Sequence, residues 1–147
     1  MQEITKIVVP VDLEQHTQKV ADFAIYMAKK MGAQLRFIHV TEFYASGDMM
    51  LGSPSLETIN QERVQRAKEV MNNLLDDNRA KYENISGIVY KGEIVDTIVK
   101  YAQEEQAGLI IIGTHGAKGL EKILLGSVAE RVLKRAHCPT LTMNPYK

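Results

Sequence analysis

Two hydrophobic rhythms alternate along this chain. The first is a short, unbroken apolar run, as in Ile7-Val-Val-Pro-Val11 and Leu109-Ile-Ile-Ile112, the pattern of parallel strands buried on both faces. The second is a helical stripe. Val20, Phe23, Ala24, Met27, Ala28 and Met31 share one side of a helix read over Glu14–Met31, which Gly32 ends. The same reasoning places strands at Lys6–Val11, Gln34–Val40, Ile85–Lys91, Ala107–Ile112 and Thr140–Met143. Further helices are read at Leu56–Asn78, with Ile59, Val64, Ala67, Val70, Met71, Leu74 and Leu75 inward, and at Ile94–Gln103, with Ile94, Ile98, Val99 and Ala102 inward. A last helical region covers Gly119–His137, while Thr41–Ser55, with two glycines and a proline, shows no period and reads as a long loop.

Strand and helix alternate throughout, which predicts an α/β fold: a parallel sheet with helices on both faces and right-handed crossovers. Alternation alone does not give the strand order. The length of 147 residues predicts one domain, residues 1–147. Lysine plus arginine and aspartate plus glutamate both number 18. That balance argues against a broad nucleic-acid surface, which needs a net basic field. No apolar run approaches the roughly 18 residues that a membrane span requires. A lone cysteine, Cys138, fits a reducing compartment, and the first residues carry no signal-peptide pattern, so a cytoplasmic protein is expected.

The chemistry concentrates where the fourth strand meets the last helix. Gly113, Gly116 and Gly119 supply a turn in which backbone N–H groups can approach an anion closely. Gly126-Ser127 interrupts the helical pattern, and glycine inside a helix costs about 1 kcal/mol against alanine. The pair is therefore read as the true start of the long helix, with Gly119–Leu125 a short piece before it and Ser127 near the N-cap. Phosphate would be held mainly by backbone amides, because neither a Walker A loop nor Gly-x-Gly-x-x-Gly is present. Lys118 and Lys122 are candidates for added positive charge, and Met49 and Met50 either cover the pocket or face solvent. Asp12, at the carboxyl end of the first strand, reads either as a cap for the helix beginning near Glu14 or as a carboxylate that grips a ribose or helps hold a metal near the phosphates. The histidines and Cys138 form no zinc-ligand spacing, no Gly-x-Ser-x-Gly elbow occurs, and Cys138 before Pro139 reads as packed.

The spacing Gly113-x2-Gly116-x9-Gly126-Ser127, the flanking Ile110-Ile-Ile-Gly-Thr-His-Gly116 and Leu124-Leu-Gly-Ser-Val-Ala-Glu-Arg-Val-Leu133, and the opening Ile7-Val-Val-Pro-Val-Asp12 together resemble the universal stress protein family over nearly the whole chain. The resemblance implies a Rossmann-like three-layer sandwich whose five-stranded parallel sheet has the order 3-2-1-4-5. It implies a stress-response sensor or regulator that binds ATP, or ADP or AMP, with Mg2+ as an accompanying ion. At most slow hydrolysis is expected, rather than dedicated catalysis. Pro10, Val11 and Asp12 would contact the adenosine, and Val40 would face the adenine edge. Gly113, Gly116, Gly126, Ser127 and Val128 would hold the phosphates, and His115, inside the loop, either joins them through its backbone or ring or is a surface histidine. A homodimer through Thr140–Met143 is implied as well. No metal site made by the protein alone is expected.

One departure stands out. Leu13-Glu14 follows the aspartate where family members often have Gly-Ser, so a narrowed ribose site is expected, and a dimeric module without nucleotide stays open as the second reading. An adenylating enzyme would need a Ser-Gly-Gly-rich loop after the first strand or His-x-Gly-His, and has neither. A phospho-accepting receiver domain would need clustered acids there and an aspartate ending the third strand, where Tyr90-Lys91-Gly92 stands instead.

Overall fold

In the computed structural model, residues 3–42, 56–114 and 126–146 are described. The elements run β1 (Lys6–Pro10), α1 (Thr17–Met31), β2 (Gln34–Thr41), α2 (Leu56–Asn78), β3 (Ile85–Lys91), α3 (Ile94–Glu104), β4 (Leu109–Gly113), α4 (Ser127–Arg135) and β5 (Thr140–Met143). The five strands form one parallel sheet in the order β3-β2-β1-β4-β5. The residues 43–55 expected to form a loop, and the short helical piece expected over Gly119–Leu125, lie outside the described residues.

Each strand alternates its apolar side chains between two helix layers, which is why the strands read as unbroken apolar runs. Ile7, Val9, Leu35, Phe37, Leu109 and Ile111 face α1 and α2; Val8, Ile38, Val40, Ile110 and Ile112 face α3 and α4. The buried stripe of α1 is Thr17, Val20, Ala21, Ala24, Ile25 and Ala28, rotated slightly from the one expected. Phe23 and Met27 are only partly buried against this core, and Met31 is exposed beside the left-handed Gly32 that ends the helix. On α3, Val95 is fully buried, a position the periodicity passed over.

The pairing of β1 is unequal on its two sides. With β2 it keeps register over five residues, from Lys6↔Gln34 to Pro10↔Ile38. With β4 the register comprises only Ile7↔Leu109 and Val8↔Ile110, so it stops before either strand ends. Pro10 has no N–H to contribute, and a strand end tolerates that loss. The two central strands thus stop pairing toward their carboxyl ends, at the point where strand order reverses. In open α/β sheets this is the crevice that takes ligands.

α4 is held against α3 by buried Ala129 and Val132, and across the helix surfaces by Arg131 with Glu93 and Arg135 with Asp96. The Arg135 guanidinium beside Asp96 holds that carboxyl below its usual range. Exposed pairs of this kind add little stability, so the seating of α4 rests on the buried Ala129 and Val132.

Candidate functional site

The glycine-serine pair opens α4, as the interruption in the helical pattern predicted. Gly126 is the N-cap, at φ −60° and ψ 145°, with Ser127 next to it and no side-chain cap among the described residues. Ser127 is the first helical residue and is exposed, while Val128 is partly buried against the α3–α4 core. The amides of the first turn therefore sit at a helix start with no side-chain cap among the described residues, where an anion is favoured. The Gly126 N–H donates to the Thr114 carbonyl at 2.7 Å, and the Thr114 N–H donates to the Met143 carbonyl at 2.8 Å. These two bonds bring the start of α4 back to the end of β4 and anchor both to β5. Gly113 and Gly126, far apart in sequence, thereby meet at one place. His115, Gly116, Lys118 and Lys122 lie outside the described residues, as do Met49 and Met50.

On the other side of the crevice, Pro10 and Val11 are buried and Asp12 is exposed. Asp12 does not cap a helix at Glu14. Its Oδ1 accepts from the Glu14 N–H at 2.9 Å and from the Thr17 hydroxyl at 3.3 Å, and α1 begins only at Thr17, behind His16. The side chain stabilises a turn in which Leu13 takes a left-handed φ of 63°, a conformation glycine adopts freely and a leucine reaches at roughly 1–2 kcal/mol. The leucine that replaces the family's glycine thus carries backbone strain. Its partly buried side chain packs inward on the α1–α2 core rather than standing across the crevice, and Glu14 is exposed.

Val40 lies at the carboxyl end of β2, buried, in register with Tyr90. Its neighbours add two features the sequence did not flag. The Thr41 hydroxyl is buried with no hydrogen-bond partner among the described residues. The His39 ring reaches across to β1, with Nδ1 2.8 Å from the Val11 carbonyl oxygen. A carbonyl only accepts, so Nδ1 carries the proton. A lone histidine inside a strand gives no spacing signal, and only the β1–β2 register reveals what it touches.

Burial pushes the Cys138 thiol up from its ordinary range, in keeping with a packed rather than a nucleophilic cysteine. Among the described residues no cluster of three His, Cys, Asp or Glu side chains stands ready for a metal, and no helix is long and apolar enough to cross a membrane.

A single parallel sheet in the order 3-2-1-4-5 with helices on both faces defines a Rossmann-like α/β domain. The chain belongs to the universal stress protein family, whose model matches residues 3–143. It is 36% identical over 148 residues to a universal stress protein of Methanocaldococcus jannaschii, covering 97% of this chain and 83% of that one. Among solved structures, the universal stress protein UspA from Lactobacillus plantarum superposes with a TM-score of 0.79 at 23% identity, covering 98% of this chain and 100% of that one. Two further universal stress protein structures are complexes. One, from Archaeoglobus fulgidus, holds dAMP (TM-score 0.68, 23% identity, 96% of this chain and 98% of that one). The other holds cAMP (TM-score 0.67, 22% identity, 98% of this chain and 99% of that one).

Proposed function

We propose that this protein binds ATP or a related adenine nucleotide in the crevice between β1 and β4 and acts as a stress-response sensor or regulator. The observation that carries the reading is the Thr114–Gly126 hydrogen bond, which sets the start of α4 beside the end of β4. Phosphates take the amides of Gly126, Ser127 and Val128, with Gly113 giving close approach and His115 and Gly116 contributing from the adjoining segment. Pro10, Val11 and Asp12 hold the adenosine, and Val40 borders the adenine. The complexes of related proteins with dAMP and cAMP support an adenine ligand. With no ready cluster of metal ligands among the described residues, Mg2+ would enter on the nucleotide's own phosphates, as that ion commonly does.

Ligand at about 100 times its Kd stabilises the folded state by roughly 2.7 kcal/mol. The expected result is a rise in melting temperature of several degrees with millimolar Mg-ATP. No rise with ATP, ADP or AMP would overturn the reading in favour of a module that works without nucleotide.

The same reading makes the protein a homodimer through Thr140–Met143. β5 is an edge strand, and an edge presents unpaired backbone groups to a second copy. Light scattering at micromolar concentration is expected to give twice the chain mass, and a monomer would remove the dimer.

A further inference from the structure

We infer that His39 is a positioning residue for the nucleotide: its Nδ1–H holds the Val11 carbonyl toward β2 and so turns the Asp12 N–H into the crevice as a donor to the adenosine half of the ligand. The inference rests on the binding site proposed above and adds a residue and a backbone donor to it.

The geometry starts from Val11. It follows the last residue of β1, beyond the point where β4 stops pairing with that strand. Both of its backbone groups are nevertheless held, and both by β2. The N–H donates to the Ile38 carbonyl at 2.9 Å, and the C=O accepts from the His39 ring at 2.8 Å. The strand ladder supplies the first of these bonds, and a side chain supplies the second.

A trans peptide is planar, with its C=O and N–H pointing in opposite directions. The Val11 carbonyl and the Asp12 N–H belong to one such plane. When His39 draws the carbonyl toward β2, the Asp12 N–H points away from β2, to the side where β4 no longer pairs with β1. That N–H has no hydrogen-bond partner among the described residues. The Asp12 carboxylate is fixed by the next step of the chain, with Oδ1 engaged by Glu14 and Thr17. The left-handed Leu13 lies within that same turn. A backbone donor and a carboxylate from one residue, held rigid from behind, suit a ligand part that offers both an acceptor and hydroxyl donors. A nucleoside has ring nitrogens and ribose hydroxyls, whereas a polyphosphate chain has acceptors only.

The test compares His39→Leu, His39→Asn and His39→Asp with the wild type. Asparagine places an N–H donor near the position of Nδ1, leucine has no donor, and ionised aspartate only accepts. Calorimetry with ATP is expected to show His39→Leu about tenfold weaker, the size of one lost hydrogen bond of ordinary strength. His39→Asn should recover most of that loss and His39→Asp should not. Inorganic tripolyphosphate, which lacks the nucleoside, should compete with ATP equally well in all four proteins. In 15N-correlated NMR spectra, the Asp12 amide proton should move downfield on ATP addition in the wild type and not in His39→Leu.

Unchanged ATP affinity in His39→Leu, or an equal loss for ATP and tripolyphosphate, overturns the inference while leaving the binding site standing. Should His39→Leu fail to fold, equal affinities for the asparagine and aspartate variants do the same. A wild type that binds no ATP overturns the site itself, and this inference with it.

Discussion

Gly126→Val is expected to weaken ATP binding more than about a hundredfold, some 2.7 kcal/mol, while the domain still folds. At φ −60° and ψ 145° the residue occupies backbone space open to any amino acid, so its conformation does not explain a glycine there. Its backbone bonds, N–H to the Thr114 carbonyl and C=O from the Glu130 N–H, survive the substitution. The folding cost is that of exchanging a good N-cap for a poor one, about 1 kcal/mol. What valine adds is a branched side chain on the residue next to the first-turn amides of α4. In the proposed site that is where phosphate oxygens approach closest, and close approach is the remaining reason for glycine. Calorimetry measures the affinity, and thermal unfolding without ligand checks the fold. Wild-type affinity in a folded Gly126→Val protein would move the nucleotide elsewhere.

The reach of the sequence is clearest by comparing particular elements. The bounds of α2, β3 and β5 agree with the periodicity, because each is flanked by residues that cannot extend it or by an abrupt loss of apolar positions. α1 starts three residues later than its pattern suggests, at Thr17 rather than Glu14. The reason is local competition: the Asp12 carboxylate takes the Glu14 N–H and the Thr17 hydroxyl, and that turn uses residues which hydropathy alone assigns to the helix. Strand order was not legible from alternation, since right-handed crossovers permit several orders. The order 3-2-1-4-5 followed from the family resemblance, and the pairing bears it out. Of the site, Gly126-Ser127 was legible as an interruption in a helical stripe. His39 was not, because its contact depends on which strand lies beside it and in what register. Thr114 was equally hidden, since its part is played by its backbone rather than by its side chain.

Phe37→Ala is expected to cost about 3 to 5 kcal/mol of stability, as deletion of a buried aromatic ring does. Phe37 has no exposed surface, and in the sheet it lies between Val9 of β1 and Gly87 of β3. Gly87 carries no side chain because Met71 occupies that space: a Cβ at Gly87 would lie 2.5 Å from the Met71 sulfur. Large Phe37, absent side chain and inserted methionine form one interlocked layer beneath α2. Removing the ring opens a void beside Met71, whose flexible thioether can swing only partly into it, which favours the lower half of the range. With a total stability of roughly 5–15 kcal/mol, the variant stays folded at room temperature with a melting temperature lower by about 6–15 °C. Nucleotide binding then acts as a separate lever. Mg-ATP at about 100 times its Kd is expected to return roughly 2.7 kcal/mol to Phe37→Ala, and almost nothing to the Phe37→Ala, Gly126→Val double variant. Thermal unfolding of the single and double variants, each with and without Mg-ATP, separates the two effects. A stability loss below about 1 kcal/mol would mean the core repacks around the missing ring, and equal rescue of both variants would mean that Gly126 plays no part in holding the nucleotide.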